Sequence, residues 1–230
     1  MKLRKYFENC PRREWAIPRL RRMKNNNKRT PGRPREFDLE FAQTAILDEF
    51  WTKGFSATSV DDLSKATGMV KPSLYSAFGN KFSMYQMSIQ TYCELAVKKL
   101  RPHLEESDHI RNALEGLFSG SLDIYFGGKD AEPRGCLLSA TAIAETLNHP
   151  EIGKIVQLQI KMMHEDIAKC LTRLCPNWSE EQVKLQTWIV VSSLHHLSTS
   201  ARVGIPRKEL EETVVSIIDA VIEKCDLEQA

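Results

Sequence analysis

Apolar residues recur at intervals of three and four along most of the chain after residue 38. Between residues 38 and 53 they occupy positions 39, 42, 46, 47 and 50, which lie on one face of a helix. Asp38 is a suitable N-cap for that helix and Gly54 a suitable C-cap. Later segments repeat the pattern between Gly and Pro residues, and none alternates as a strand does. The sequence therefore predicts an all-α fold of about nine helices.

Most of the predicted helices follow residue 80. The first begins at Asn80 or Lys81 and runs to Pro102 or soon after, since proline disrupts a helix interior. Segment 136–147 is short and almost wholly apolar, which predicts burial on all sides. The others span about 107–126, 150–174, 179–203 and 206–225.

The last two predicted helices carry wide apolar faces. A monomer rarely exposes such surfaces, so each face either completes the core or meets a partner. The residues concerned are Val183, Trp188, Ile189, Val191, Leu194 and Leu197 on one helix, and Leu210, Val214, Ile217, Ile218, Val221 and Ile222 on the other.

The stretch from Thr58 to Lys81 has the spacing of two short helices joined by a tight turn. Ser59 and Asp62 stand three apart, as in a capping box at the start of a helix. Gly68 can end that helix with a positive φ, and Pro72 suits the first turn of the next one. This arrangement is a helix-turn-helix. Together with the helix over 38–53 it predicts a three-helix unit whose core is Phe41, Ala45, Ile46, Phe50, Phe55, Val60, Leu63, Leu74 and Phe78.

The second helix of this motif carries a characteristic set of residues. Leu74 is followed by Tyr75, then by an aromatic residue, Phe78, and by Lys81 at the start of the next helix. In these residues the stretch resembles the TetR family of transcriptional regulators. The resemblance implies that Tyr75 and Lys81 contact DNA phosphates and that residues early in this recognition helix contact bases. Ser76 stands where many relatives carry a larger side chain, so base contacts are expected to depend more on the start of the helix and the N-terminal arm.

The resemblance also implies a division of the chain into three parts. These are a basic arm over 1–34, a DNA-binding domain over 35–80, and a ligand-binding and dimerisation domain over 81–230. In such proteins the last two helices form a four-helix dimer interface, and a small-molecule effector binds in the second domain. Segment 134–145 also looks like a motif of one branch of these ligand domains.

Charge is distributed unevenly along the chain. The net charge is only +2, but residues 1–35 hold 13 Lys or Arg and 2 acidic residues, whereas the remainder holds 19 and 28. This split indicates an arm that binds a polyanion, attached to a mildly acidic body. Arg33 and Arg35 lie in the extended segment PGRPR, which could enter an A·T-rich minor groove or serve as an ordinary linker.

Other chemistry receives little support from the sequence. The six cysteines show no zinc-site spacing, and His195 and His196 are adjacent, so on a helix they point about 100° apart. There is no GxSxG context and no Gly-rich phosphate loop. No apolar run is long enough to span a membrane. We therefore expect no catalytic residues, no cofactor, no metal and no membrane partner, and a cytoplasmic location.

The predicted function is that of a homodimeric repressor that binds a pseudo-palindromic double-stranded operator and is released by a small molecule. Two alternatives stay open: a thiol-based redox or electrophile sensor switching through Cys136, Cys170 or Cys175, and a non-specific architectural protein that binds DNA through its basic tail. The candidate DNA-binding residues are Arg33, Arg35, Thr58, Ser59, Lys71, Pro72, Ser73, Tyr75, Ser76 and Lys81. The candidate ligand-binding residues are Phe118, Leu122, Tyr125, Phe126, Met162, Met163, Trp188 and His195, chosen because aromatic and thioether groups suit an apolar pocket.

Overall fold

A computed structural model describes residues 39–127 and 132–226 of the chain. Those residues form nine helices and no strand, which confirms the predicted fold class. The helices are α1 (Leu39–Lys53), α2 (Val60–Thr67), α3 (Lys71–Phe78), α4 (Lys81–Glu106), α5 (Ile110–Phe126), α6 (a π-helical turn Leu138–Ala142 continued by Ile143–Glu145), α7 (Pro150–Leu174), α8 (Glu180–Arg202) and α9 (Arg207–Asp226). No helix within these two ranges is both long and apolar enough to cross a membrane.

Helices α1, α2 and α3, with their connections, form a compact unit that we call the head, residues 39–80. Its interior is built from Ile46, Phe50, Leu63 and Leu74, which are almost completely buried. Phe50 stacks on Phe55, and both rings contact Tyr85 of α4, so α4 closes the base of the head.

One residue of the predicted head core was placed wrongly. Phe41 is 59% exposed, because its neighbour Ala42 and, one turn later, Ile46 face the interior, and Phe41 lies about 100° round the helix from Ala42. Ala45 and Val60 are only partly buried.

Helices α4 to α9 form the second unit, which we call the body, residues 81–226. Helix α5 lies at its centre and packs against α4, α8 and α9. Helix α4 continues past Pro102 for one further turn to Glu106, slightly beyond the predicted end. One face each of α8 and α9 completes the body core, through buried residues such as Val191, Leu197 and Ile218.

Helix α6 is not buried on all sides, contrary to the expectation from its composition. Ile143 and Leu147 are exposed, while Leu137, Ala142 and Glu145 face inward. The helix begins as a π-helical turn, and π turns are rare and occur mostly as single turns. Just before it, Gly135 has φ 66° and passes so close to α8 that an added Cβ would lie 2.5 Å from the Ser198 carbonyl oxygen. Only glycine fits both constraints.

The C-terminal end of α1 makes one group of contacts between head and body. Trp51 is buried, and its indole Nε1 donates a 2.9 Å hydrogen bond to the Gly135 carbonyl. The Arg134 guanidinium lies over the Trp51 ring at 4.2 Å and pairs with Asp48 at 2.6 Å. Arg202, at the end of α8, donates to the Thr52 carbonyl at 2.8 Å and to the Arg134 carbonyl at 2.9 Å. The last carbonyls of α1 thus receive a cation from the body, as a helix C-terminus favours.

A second contact joins α6 to the turn between α1 and α2. The Glu145 carboxylate is buried and accepts a 2.8 Å hydrogen bond from the Ser56 amide and another from the Ser56 hydroxyl. Next to it, Gly54 has φ 82°, and an added Cβ there would lie 3.2 Å from the same carboxylate. Phe55 in this turn also contacts the His149 ring edge-on at 4.8 Å. The body therefore fixes the segment that leads into α2.

We expect Glu145→Ala to destabilise the protein by about 1–3 kcal/mol, because it leaves the Ser56 amide without its acceptor at a partly buried site. Urea denaturation of the full chain measures the change. Glu151→Ala is the matched control, since Glu151 lies on the surface six residues away and should change the free energy of unfolding by less than about 0.5 kcal/mol. Equal stabilities of the two variants would contradict the role given to Glu145.

Candidate DNA-binding surface

Helix α2 begins with the capping box that its sequence predicts. The Asp62 amide donates to the Ser59 hydroxyl oxygen at 3.1 Å, and the Asp62 carboxylate accepts from the Ser59 amide at 2.8 Å. Gly68 ends the helix with φ 68°. Thr67 closes the end by donating to the Leu63 carbonyl and accepting from the Met69 amide. Both ends of α2 are therefore determined by local sequence.

The capping box also affects the titration of Asp62. The Ser59 hydroxyl and amide both donate to this carboxylate and lower its pKa from 3.8 to about 2. A carboxyl whose pKa is lower in the folded state stabilises the fold above its unfolded pKa. This contribution is complete above about pH 4 and is lost as the pH falls through 2.

Helix α3 presents the side opposite its buried residues to solvent. Leu74 and Phe78 anchor it to the head, as predicted, and the N-terminal end follows an extended residue, Val70. Pro72 lies in the first turn, where its missing N–H costs nothing. On the outer side Tyr75 is 45% exposed and Ser76 is exposed, while Ser73 is half-buried. The exposed face of α3 therefore combines a phenol, a hydroxyl and a cation.

The cation at the start of α3 has an internal partner that the sequence analysis missed. The Lys71 ammonium lies 2.8 Å from the Asp61 carboxylate of α2, and this pairing raises the pKa of Lys71. Both side chains are largely exposed, so the pair is weak in free energy but fixes the direction of the ammonium. The sequence did contain a signal for this pair. Asp61 lies in the first turn of one predicted helix, and Lys71 lies at the start of the next helix, after the Gly turn.

The remaining predicted DNA contacts have varied surroundings. Thr58 is buried and donates to the Gly54 carbonyl at 2.7 Å, so its hydroxyl serves the turn before α2. Lys81, at the start of α4, lies 4.4 Å from the centre of the Phe55 ring, and burial lowers its pKa. Arg33 and Arg35 lie outside the described residues. The structure thus brings Ser59, Lys71, Pro72, Tyr75 and Ser76 to the outer surface of the head and leaves Thr58 inside.

The predicted ligand-binding residues do not form one group. Phe118, Leu122 and Tyr125 of α5 are buried in the body core, while Phe126, Met162 and Met163 are half-buried. The Tyr125 carbonyl accepts hydrogen bonds from the amides of Arg134 and Gly135, which hold the chain leading to α6. Trp188 is more than half exposed on the outside of α8.

Of these residues, Trp188 and His195 share a neighbour, His164 of α7. The His164 ring meets the Trp188 ring edge-on at 4.4 Å. Burial lowers the pKa of His195, and the neighbouring His164 lowers it further. A surface depression of about 260 Å³ runs between α7 and α8 here and is lined by His164, Glu165, Ala168, Glu180, Val183, Lys184, Thr187 and Trp188.

A larger depression, of about 450 Å³, lies at the contact between head and body. It is lined by Asp48, Thr52, Glu132, Pro133, Arg134 and Arg202, five of which carry polar or charged groups. Its two arginines already bond to the carboxylate and carbonyls described above. In the two ranges that the structure describes, no three His, Cys, Asp or Glu side chains are grouped to hold a metal ion.

Among the cysteines proposed as sensors, Cys170 and Cys175 are buried and Cys136 is half-buried. Burial raises the pKa of the Cys170 thiol, which disfavours the reactive thiolate. Cys136 starts the turn into α6, where its amide donates to the Ser198 hydroxyl at 2.7 Å. Cys136 is therefore the most accessible of the three.

The head matches a known family. Residues 44–86 match the family model for bacterial regulatory proteins of the tetR family. The chain is 33% identical over 112 residues to the HTH-type transcriptional repressor ComR of Escherichia coli K12, which is 48% of this chain and 52% of ComR. It is 42% identical over 64 residues to the repressor BdcR of the same organism, covering 28% of this chain and 32% of BdcR. The matched segments thus span about half or less of these two relatives.

Solved structures resemble the chain over most of its length. A cysteine mutant of the TetR family transcriptional regulator CifR, complexed with 26-bp double-strand operator DNA, covers 82% of this chain and 99% of its own, with a TM-score of 0.72 and 22% identity. The TetR-family regulator SCO4454 of Streptomyces coelicolor covers 81% and 96%, with a TM-score of 0.69 and 11% identity. These likenesses concern the fold.

We expect Ser59→Ala to destabilise the protein by roughly 1 kcal/mol, because the α2 amides lose their cap. Thermal unfolding at pH 7 measures the difference. Ser76→Ala is the control: Ser76 is an exposed hydroxyl on α3, and its loss should change stability by less than about 0.5 kcal/mol. If Ser59→Ala proved no more harmful than Ser76→Ala, the capping box would not stabilise the head as described.

Proposed function

Because the chain belongs to the TetR family of bacterial transcription regulators, we propose that it is a homodimeric repressor that binds a pseudo-palindromic operator and is released by a small-molecule effector. The family consists of regulators and not enzymes, in agreement with the prediction of no catalytic residues. The observation that carries the proposal is the exposed face of α3, held on a head whose segment 44–86 matches the family. A protein with this function would act on DNA in the cytoplasm.

The head has the parts that a helix-turn-helix needs for DNA. Its second helix enters the major groove with its N-terminal residues toward the bases, while flanking groups contact the backbone. Here Ser59 and Tyr75 supply hydroxyls, and Lys71 and Lys81 supply positive charge on either side of α3. Lys71 can exchange its Asp61 partner for a phosphate at little cost because the pair is exposed. Arg33 and Arg35 would extend the contact into the adjacent minor groove.

The outer faces of α8 and α9 support the dimer. Leu185, Trp188 and Ile189 are spaced three and four apart on α8 and are all exposed, and Val215 is exposed on α9. Their inward faces already complete the core, so these outward residues are apolar surface in excess of what the fold uses. A two-fold dimer formed here would present two heads to two half-sites.

The way the head is attached supports the proposed release by an effector. Arg202, Arg134 and Glu145 hold α1 and the next turn from three parts of the body. A ligand that favours a body with α6 or the end of α8 displaced would reorient the head. By linkage, DNA must weaken effector binding by the same factor as the effector weakens DNA binding.

The operator is tested by selecting binding sites from a random duplex pool at near-physiological salt. We expect a pseudo-palindrome with two half-sites. Deleting residues 1–28 should leave that preference intact and reduce the slope of log K against log salt, since the arm contributes phosphate contacts. Recovery of A·T-rich sequence without symmetry, with affinity lost on deletion, would instead support the architectural protein.

The dimer is tested with Leu185→Glu. Two-fold symmetry places this change on both sides of the interface, so two charges would be desolvated and the dimer should dissociate. Sedimentation velocity should show a dimer for the original chain and a monomer for the variant, with operator affinity reduced at least tenfold. Leu95→Glu, the same substitution at an exposed leucine of α4, should stay dimeric. A dimeric Leu185→Glu protein would contradict this interface.

A further inference from the structure

Val70 occupies an unusual place on the head. It is the residue directly before α3, in extended conformation with φ −71° and ψ 148°, and its side chain is 63% exposed. Its carbonyl accepts from the amides of Ser73 and Leu74, which fixes the backbone. The preceding residue, Met69, is buried. An isopropyl group is therefore held rigidly in solvent at the start of the recognition helix.

Valine is an unusual residue type for this position. Val70 is the N-cap of α3, and no side chain caps the helix there. Ser, Thr, Asp and Asn are preferred at an N-cap because their oxygen accepts from an amide of the first turn, and Val supplies no such acceptor. Here Pro72 has no amide hydrogen, and the Ser73 amide donates to the Val70 carbonyl instead. The chain uses such a cap at Ser59 on α2 and at Asn80 on α4. The preference for a polar N-cap is therefore not followed at one exposed position of a head whose other helices are well capped. Such an exception indicates that the Val70 side chain has a functional role.

The neighbours of Val70 offer polar contacts and one further apolar group, the exposed ring of Pro72. Lys71 is directed toward Asp61, Pro72 has no amide hydrogen, and Ser73 is half-buried. In the major groove the only apolar feature of a base edge is the C5 methyl of thymine. The first residues of a recognition helix are the ones that reach base edges.

We propose that Val70 is a specificity-determining residue that packs against the C5 methyl of a thymine in each operator half-site; this rests on the proposed DNA-binding function. The contact removes one methyl group of the base and the exposed valine from water together. It selects thymine over cytosine, which lacks the methyl, and needs no hydrogen bond.

The test uses the operator recovered from the random pool, with each thymine replaced in turn by deoxyuridine, which removes only the methyl. For the original chain, one position in each half-site should lose affinity by about fourfold, the value of one buried methyl group. Val70→Ser should show no loss at that position, so the two changes are not additive.

Val203→Ser is the matched control, since Val203 is a still more exposed valine in the turn after α8. It should keep the full sensitivity to deoxyuridine. Uniform indifference of the original chain to deoxyuridine, or an equal loss in Val70→Ser, would overturn the proposal for Val70 while the operator itself stands. Failure to recover any symmetric operator would instead refute the proposed function.

Discussion

The burial of Trp51 at the end of α1 is the contact on which the arrangement of head and body depends. Its ring is covered by Arg134 on one side and meets Tyr92 of α4 edge-on at 4.8 Å, and its indole N–H has a backbone acceptor at Gly135. Because α1 is buried on two sides, a displacement of the body at Trp51 would also move the head. Helix α1 packs into the head with Phe50 and into the body with the next residue, Trp51.

Electrostatics complements this packing. The body holds the C-terminal carbonyls of α1 with Arg202, whose guanidinium donates to the Trp51 and Thr52 carbonyls, so its charge is directed at the helix end. On the opposite side of the head, the outer surface of α3 carries few charges, and its one lysine is paired internally. In the proposed function, long-range attraction to DNA would therefore come from the basic arm, because residues 1–35 hold 13 of the 32 Lys and Arg residues and only 2 acidic residues. Helix α3 would supply short-range selectivity.

The sequence analysis was most accurate for interactions between residues that are close together in the chain. The α2 capping box, the Gly68 turn and the burial of Leu74 and Phe78 depend on neighbours within about five residues, and all were predicted correctly. Phe41 was placed wrongly because a rotation of α1 by one residue decides whether Phe41 or Ala42 faces the core. That rotation depends on residues far away in the sequence. The candidate ligand residues were chosen by side-chain type. Type alone does not distinguish core from pocket, and the structure puts Phe118 in the core and Trp188 on the surface.

The two contacts between head and body lie on either side of Gly54, and this placement constrains any mechanism of release. Arg202 holds α1 just before the glycine, and Glu145 holds Ser56 just after it. Movement of the end of α8 alone would pull on α1 while α6 retained the following turn, and the strain would fall on the backbone at Gly54, which has φ 82°. A displacement of α6 and α8 together avoids this strain and carries the head as one body. Since Gly135 and Ser198 lock these two helices at close range, a joint movement is the one that their packing favours.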